Sequence, residues 1–234
     1  LQVQHGAEEA RFYLLLKGLL HRADHAGSAH MAVEVAPNKH SAQQVKDYLT
    51  LQKKVRPQNI WQAPYASSSA GHNVILQAGT GSGKTEFALL WIDSEKAFYA
   101  LPMRTSVNAM YERLKETYRS NNIGLLHGDS AMYALSTLDG SSSDNGVSDT
   151  LQKIDAARQL GMPISVCTAD QIFTAAFRYS GYEKIFATLA YSKLVVDEIQ
   201  SYDPDMVAVI LKALIDISEL GGRFCIITAT LPKM

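Results

Sequence analysis

Cysteine is scarce in this chain of 234 residues: only Cys167 and Cys225 are present. Both lie in apolar, strand-like runs without Cys-x-x-Cys spacing. That excludes a disulfide framework and a structural zinc knuckle, and fits buried free thiols in a reducing cytoplasm. An excess of charge is lacking too. Lys and Arg number 22 against 23 Asp and Glu, a formal net charge of -1. No overall field therefore draws the chain to nucleic acid or to an acidic membrane, and any such binding falls to a local cluster. No apolar run reaches the length of a membrane span, and the N-terminus has neither the basic start nor the cleavage pattern of a signal peptide. No membrane role is expected, and a cytoplasmic location is. The sequence begins without an initiator Met, from which a piece of a longer protein is expected. What is abundant is apolar side chains, 47% of the total, enough for one substantial α/β core with a small appendage.

Phe12, Leu15, Leu16, Leu19 and Leu20 recur at helical spacing between about Glu8 and Ala26, which predicts one buried helix with a polar end. From Met31 to about Lys54 the pattern fades through Pro37 and Asn38 and returns briefly between Ser41 and Leu51. This reads as a linker. Strand-like runs then recur at Val74–Leu76, Ala97–Leu101, Ile123–Leu126, Ile164–Cys167, Leu194–Val196 and Phe224–Ile227, each followed by a helical pattern. Such alternation predicts a mostly parallel sheet with helices on both faces. The polar, Gly/Ser-rich stretch Ser136–Thr150 predicts a mobile loop. There is no internal repeat.

Chemistry concentrates first in Asn73-Val74-Ile75-Leu76-Gln77-Ala78-Gly79-Thr80-Gly81-Ser82-Gly83-Lys84-Thr85, an apolar strand running into a glycine-rich turn. Gly79, Gly81 and Gly83 let the backbone curl so that the amides of Ala78 to Gly83 converge on phosphate oxygens, and a helix opening at Lys84 adds the positive end of its dipole. Lys84 is expected on the β- and γ-phosphates and Thr85 on Mg²⁺. Ala78 stands where the strict pattern has Gly. The second constellation is Asp197-Glu198-Ile199-Gln200, straight after the apolar run Lys193–Val196. Two carboxylates at the end of a buried strand are costly unless a cation neutralises them, and a Mg²⁺-nucleotide does so. Asp197 then takes the metal, usually through water, and Glu198 serves as catalytic base on the attacking water. Alone, the pair reads equally well as an acidic surface turn; the phosphate loop decides between them.

Further motifs fall in the order used by superfamily two helicases, and the chain resembles that family. Leu101-Pro102-Met103-Arg104-Thr105 resembles the strand-end motif that contacts a nucleic-acid backbone, here through Arg104 and Thr105. Thr168-Ala169-Asp170-Gln171 resembles a second such contact, through Thr168 and Asp170, opening a helix whose amides can hold a phosphate. Thr228-Ala229-Thr230-Leu231-Pro232 resembles the motif that links hydrolysis to the nucleic-acid groove, giving Gln200, Thr228 and Thr230 a coupling role. Each tetrad alone is common as a helix cap or a turn; the joint order carries the weight. Helicases of this superfamily read adenine with a Gln upstream of the phosphate loop. Gln58, preceded by Arg56-Pro57, is preferred to Gln62, with an ordinary surface Gln as the alternative. Trp61 and Tyr65 are expected in the core or against the adenine.

Asp-Glu-Ile-Gln replaces the Asp-Glu-Ala-Asp of RNA-remodelling relatives, and Leu19-Leu20-His21-Arg22-Ala23-Asp24-His25-Ala26-Gly27-Ser28 is similar to the end of an HD-type metal-dependent nuclease domain. Together they resemble the helicase-nuclease effector of type I CRISPR interference. The resemblance implies an α/β fold, a RecA-like P-loop domain with a mostly parallel central sheet plus an N-terminal helical remnant. It divides the chain into a nuclease tail (1–35), a linker (36–55) and the first RecA-like domain (56–234). It further implies ATP and Mg²⁺, a divalent transition metal at the HD site through Asp24 in the full-length protein, single-stranded DNA as track, and recruitment by an RNA-guided surveillance complex. No His-Asp dipeptide occurs, so the other HD ligands are expected upstream, with His21, His25 and His30 as packing or surface residues. The second RecA-like domain is expected beyond Met234, and without it the chain should bind nucleotide poorly and hydrolyse it slowly. Alternatives are another superfamily two DNA or RNA helicase, or a docking fragment with a vestigial site. Intact Lys84, Thr85, Asp197 and Glu198 argue against the vestigial site.

Overall fold

The computed structural model describes residues 2–35, 41–136 and 144–230. A long helix α1 (Gln2–Ser28) comes first, then α2 (Ala42–Asp47) running into a π-turn (Tyr48–Gln52), and α3 (Gln62–Ser68). All six apolar runs form strands: β1 (Val74–Gln77), β2 (Ala97–Leu101), β3 (Ile123–Leu126), β4 (Ile164–Thr168), β5 (Lys193–Asp197) and β6 (Arg223–Thr228). They make one sheet in the order β1-β6-β5-β2-β4-β3, every registered pair parallel. Parallel neighbours need long crossovers. These are α4 (Lys84–Ile92), α5 (Arg104–Tyr118), α6 (Ser130–Ser136) with α7 (Asp144–Arg158), α8 (Asp170–Phe173) with α9 (Tyr182–Leu189), and α10 (Pro204–Glu219).

Alternation along the strands divides the core in two. Tyr99, Leu101, Leu125, Val166, Val195 and Ile227 meet α4 and α5 on one face. Phe98, Ala100, Leu126, Cys167, Val196 and Ile226 meet α7, α9 and α10 on the other. With both faces covered, the strands read as continuous apolar runs, which is why the sequence exposed them so clearly. Both cysteines are buried free thiols.

Three expectations meet a different outcome. The N-terminal helix is not buried all round. Phe12, Leu16, Leu19 and Leu20 are exposed, while Leu14, Gly18, Arg22 and Ala26, spaced by four, form the stripe turned to the domain, with α9 as the partner helix. Buried Arg22 pins that stripe: its guanidinium donates to Val33 O at 2.9 Å and Leu160 O at 3.2 Å and pairs with Glu34 at 2.7 Å. The stretch read as a linker carries Val45, Tyr48 and Leu49 into buried positions, Val45 and Leu49 among the α4 and α5 side chains. Its three apolar anchors were too few to register as a periodic pattern. Of the polar segment Ser136–Thr150, residues 137–143 lie outside the described residues. Residues 144–150 are not loop but the first half of α7, because Ile154 and Ala157 bury its second half and a helix once nucleated extends through polar residues.

Candidate nucleotide site

Because the strands are parallel, their carboxyl ends share one edge of the sheet, the edge where ligands gather in open α/β folds. At β1 the chain leaves the sheet through Ala78, whose amide donates to Thr228 O at 3.1 Å. The loop turns at Gly81 (φ 76°) and Gly83 (φ 87°), left-handed conformations that glycine adopts without strain. Trp61 Nε1 donates to Ser82 O at 3.0 Å and Gln62 Nε2 to Gly83 O at 3.3 Å, so the loop is braced from α3's side. Lys84 opens α4, and its ammonium donates to Ala78 O at 2.8 Å and Gly79 O at 3.0 Å, inside the curl of the loop.

Two strands away, β5 ends in Asp197. Its Oδ1 accepts the Glu198 amide at 2.9 Å and its Oδ2 accepts the Tyr99 hydroxyl at 2.7 Å. Burial pushes the Asp197 carboxyl above the usual carboxylate range; the Tyr99 hydrogen bond opposes that rise and neighbouring Glu198 adds to it. Tyr99 is fully buried, and burial together with Asp197 keeps its phenol protonated far beyond the ordinary range, while Thr85 pulls the other way. Glu198 is exposed and left-handed (φ 54°), a conformation that costs a non-glycine residue on the order of 1 kcal/mol and recurs at functional sites.

Lys84, Thr85, Arg113, Asp197, Glu198 and Gln200 line one cavity of about 410 Å³ together with the loop residues Thr80, Gly81 and Gly83. The two motifs, more than a hundred residues apart in sequence, thus form one site. Its hydroxyl and carboxylate oxygens are hard donors that suit Mg²⁺, and the ammonium and loop amides suit phosphate. The residues fit a Mg²⁺-nucleotide. Sequence reading missed Arg113 and Tyr99 at this site, and named Gln62 and Trp61 in other roles. Arg113 pairs with Glu86 at the wall, Gln62 and Trp61 brace the loop, and Tyr99 holds Asp197. Of the two missed, only Tyr99 left a signal: a hydroxyl inside an apolar central strand must find a partner.

Gln58 sits exposed in a short 3₁₀ turn (Pro57–Asn59) before α3, whereas Gln62 is buried and committed to the loop carbonyls. Trp61 stacks on Phe87 at 6.5 Å and meets Tyr65 edge-on at 6.1 Å. Beside the acidic pair, the Thr228 hydroxyl donates to Gln200 Oε1 and accepts the Thr230 amide at 3.2 Å, which ties the β5 and β6 ends together.

The residues read as nucleic-acid contacts lie further along the same edge. Arg104 and Thr105 open α5 after β2, exposed, with Arg104 paired to Asp129. Thr168 ends β4 and is buried, and Asp170 is exposed at the start of α8. That helix opens at Asp170, as expected, and has four residues before it tightens into a 3₁₀ turn. Just past the end of the edge strand β3 stands His127, absent from the sequence reading. Its Nδ1 accepts the Asp129 amide at 3.2 Å, so Nε2 carries the proton and donates to Asn108 Oδ1 at 2.8 Å. Burial lowers its pKa. Asp24 is exposed on α1, and among the described residues no three His, Cys, Asp or Glu side chains gather as metal ligands.

Residues 58–234 match the DEAD/DEAH box helicase family. The chain belongs to that family. This helicase is similar to the CRISPR-associated nuclease/helicase Cas3 of Methanothermobacter thermautotrophicus, 30% identical over 232 residues, covering 96% of this chain and 27% of the relative. The CRISPR-associated endonuclease/helicase Cas3 of Escherichia coli K12 is 30% identical over 178 residues, 68% of this chain and 20% of the relative. The chain thus spans between a fifth and just over a quarter of these relatives' length. Among solved structures, T. fusca Cas3 with ATP is 26% identical with a TM-score of 0.56, covering 71% of this chain and 20% of that one. T. fusca Cas3 with AMPPNP, 23% identical, superposes with a TM-score of 0.58 over 83% of this chain and 21% of that one, a likeness of fold. A helicase domain of this family binds nucleotide, and the cavity between phosphate loop and acidic pair is where this one offers to do so. Among the described residues no helix is long and apolar enough to cross a membrane.

Proposed function

We propose that this chain is the ATP-binding half of an ATP-dependent single-stranded-DNA translocase, coupled in a longer cytoplasmic polypeptide to an HD nuclease that acts in CRISPR interference. The observation that carries the reading is the shared cavity lined by Lys84, Thr85, Asp197 and Glu198. The loop amides and Lys84 bind and orient the phosphates, and Thr85 and Asp197 would hold Mg²⁺, which supplies charge neutralisation at the phosphate oxygens. Exposed Glu198 accepts the proton of the attacking water. Gln200, Thr228 and Thr230, hydrogen-bonded into one unit, pass the state of that site to the strand ends where Arg104, Thr105, Thr168 and Asp170 meet DNA. Gln58 reads adenine. Residues 1–35 are the nuclease tail, 36–55 the linker and 56–234 the first RecA-like domain. Asp24 joins upstream histidines on a divalent transition metal, and an RNA-guided surveillance complex recruits the whole.

Two substitutions in the longer polypeptide test this. Lys84→Ala should abolish ATP binding and ATP-dependent DNA degradation together, because the ammonium serves ground and transition states alike. Glu198→Gln should remove hydrolysis and degradation while leaving ATP affinity within about twofold, since the carboxylate acts mainly on water. Wild-type hydrolysis by Glu198→Gln would refute its assignment as base.

A further inference from the structure

We propose that Tyr99 is a positioning residue for divalent-cation binding at the nucleotide site, acting through Asp197; this rests on the nucleotide reading above. Tyr99 sits opposite Val195 in the β2–β5 pairing, and Asp197 lies two residues beyond Val195 on the same side of the sheet. A tyrosine side chain is long enough to span that diagonal from inside the core, and its hydroxyl arrives at Asp197 Oδ2 at 2.7 Å. The other carboxylate oxygen is held by the Glu198 amide at 2.9 Å. Each oxygen of a carboxylate offers two lone-pair directions. Both oxygens are thus fixed by one protein donor each, and each keeps one direction free for the cavity that Asp197 lines.

Thr85 lines the same cavity as Asp197. Thr85 on the phosphate loop and Asp197 on β5 are the two groups that would hold Mg²⁺, and Tyr99 is the buried side chain that fixes the second of them. Outer partners of this kind orient metal-binding carboxylates and hydroxyls, and their loss typically weakens metal affinity by about 10- to 100-fold. Mg²⁺ retains most of its waters when it binds through one or two protein groups, so the low end of that range applies. Phenylalanine could fill the same core volume and pack against the same neighbours. Only the hydroxyl distinguishes the two, and the hydrogen bond it makes is to Asp197.

The test uses the chain with a fluorescent ADP analogue, titrated with Mg²⁺ and separately in EDTA. The wild type should bind the nucleotide more tightly with Mg²⁺. Tyr99→Phe should raise the Mg²⁺ half-saturation roughly tenfold and leave affinity in EDTA unchanged within twofold, a separation that a loosened fold would not produce. Tyr99→Met, which also lacks the donor but adapts its shape, is read in parallel so that the answer does not hang on the folding of one variant. If Tyr99 acts through Asp197, adding Tyr99→Phe to Asp197→Ala should change the half-saturation no further. Equal Mg²⁺ dependence in wild type and both Tyr99 variants would overturn the inference and leave the nucleotide reading intact. Wild-type binding that ignores Mg²⁺ would overturn the inference alone, and no nucleotide binding under either condition would overturn both.

Discussion

Replacing Gly18 with Ala should destabilise the seating of α1, against the usual sign for a glycine inside a helix. By propensity alone, Gly→Ala in a helix interior gains about 1 kcal/mol. At Gly18 an added Cβ would stand 2.2 Å from Glu183 O and 2.5 Å from Ala187 Cβ. The first obstacle is backbone of α9, which cannot swing aside as a flexible side chain would. Overpacking of this kind costs about 1–3 kcal/mol, and two contacts so short place it at the upper end. The net is a loss of about 2 kcal/mol after the propensity gain is subtracted. If α1 and the sheet melt together, Tm should fall by about 4–8 °C. If α1 opens by itself, its amide protection from hydrogen exchange should drop about thirtyfold while that of the central strands stays. Gly27→Ala in the same helix is the control. Nothing lies within 4 Å of its added Cβ, so this variant should hold or raise stability. Equal stabilisation by both substitutions would refute the close α1–α9 packing and with it the idea that the N-terminal segment is rigidly joined to the helicase domain.

Gln58→Ala should cut the preference for ATP over GTP, whereas Gln62→Ala should weaken both nucleotides alike because that side chain braces the loop carbonyls; competition binding with the two nucleotides separates the cases. Acid should loosen α1 through Glu183. Burial alone would raise its pKa, but the Lys17 ammonium at 2.6 Å outweighs burial and holds the carboxyl below its ordinary 4.5. A depressed folded pKa stabilises above the unfolded value and is lost as pH falls through the folded one. Proteolytic release of α1 should therefore accelerate below about pH 4.5, and Glu183→Gln should flatten that dependence. Asp24→Ala in the longer polypeptide should abolish DNA nicking and spare ATP hydrolysis on single-stranded DNA; unchanged nicking would leave Asp24 an ordinary exposed acid.

The sequence by itself determined the sheet and the two ends of the nucleotide site. Strands buried on both faces must be apolar throughout, so six short runs stood out. A phosphate loop needs glycine at turning points and Lys-Thr at the helix start, which is a local pattern. What it did not determine is everything set by partners remote in the chain. Phe12, Leu16, Leu19 and Leu20 share α1's helical spacing with Leu14 and Gly18, yet only the position of α9 decides that the glycine side is the buried one. Val45 and Leu49 belong to the core because α4 and α5 leave a place for them, and their short helix carries too few apolar residues to say so. Residues 144–150 are helical because α7 is anchored further on. Tyr99 and Asp197 stand 98 residues apart and meet only when β2 and β5 pair in one register. Local chemistry is written in local sequence, but the second partner of a hydrogen bond or a packed face is supplied by strand order and helix placement, and those exist only in the folded chain.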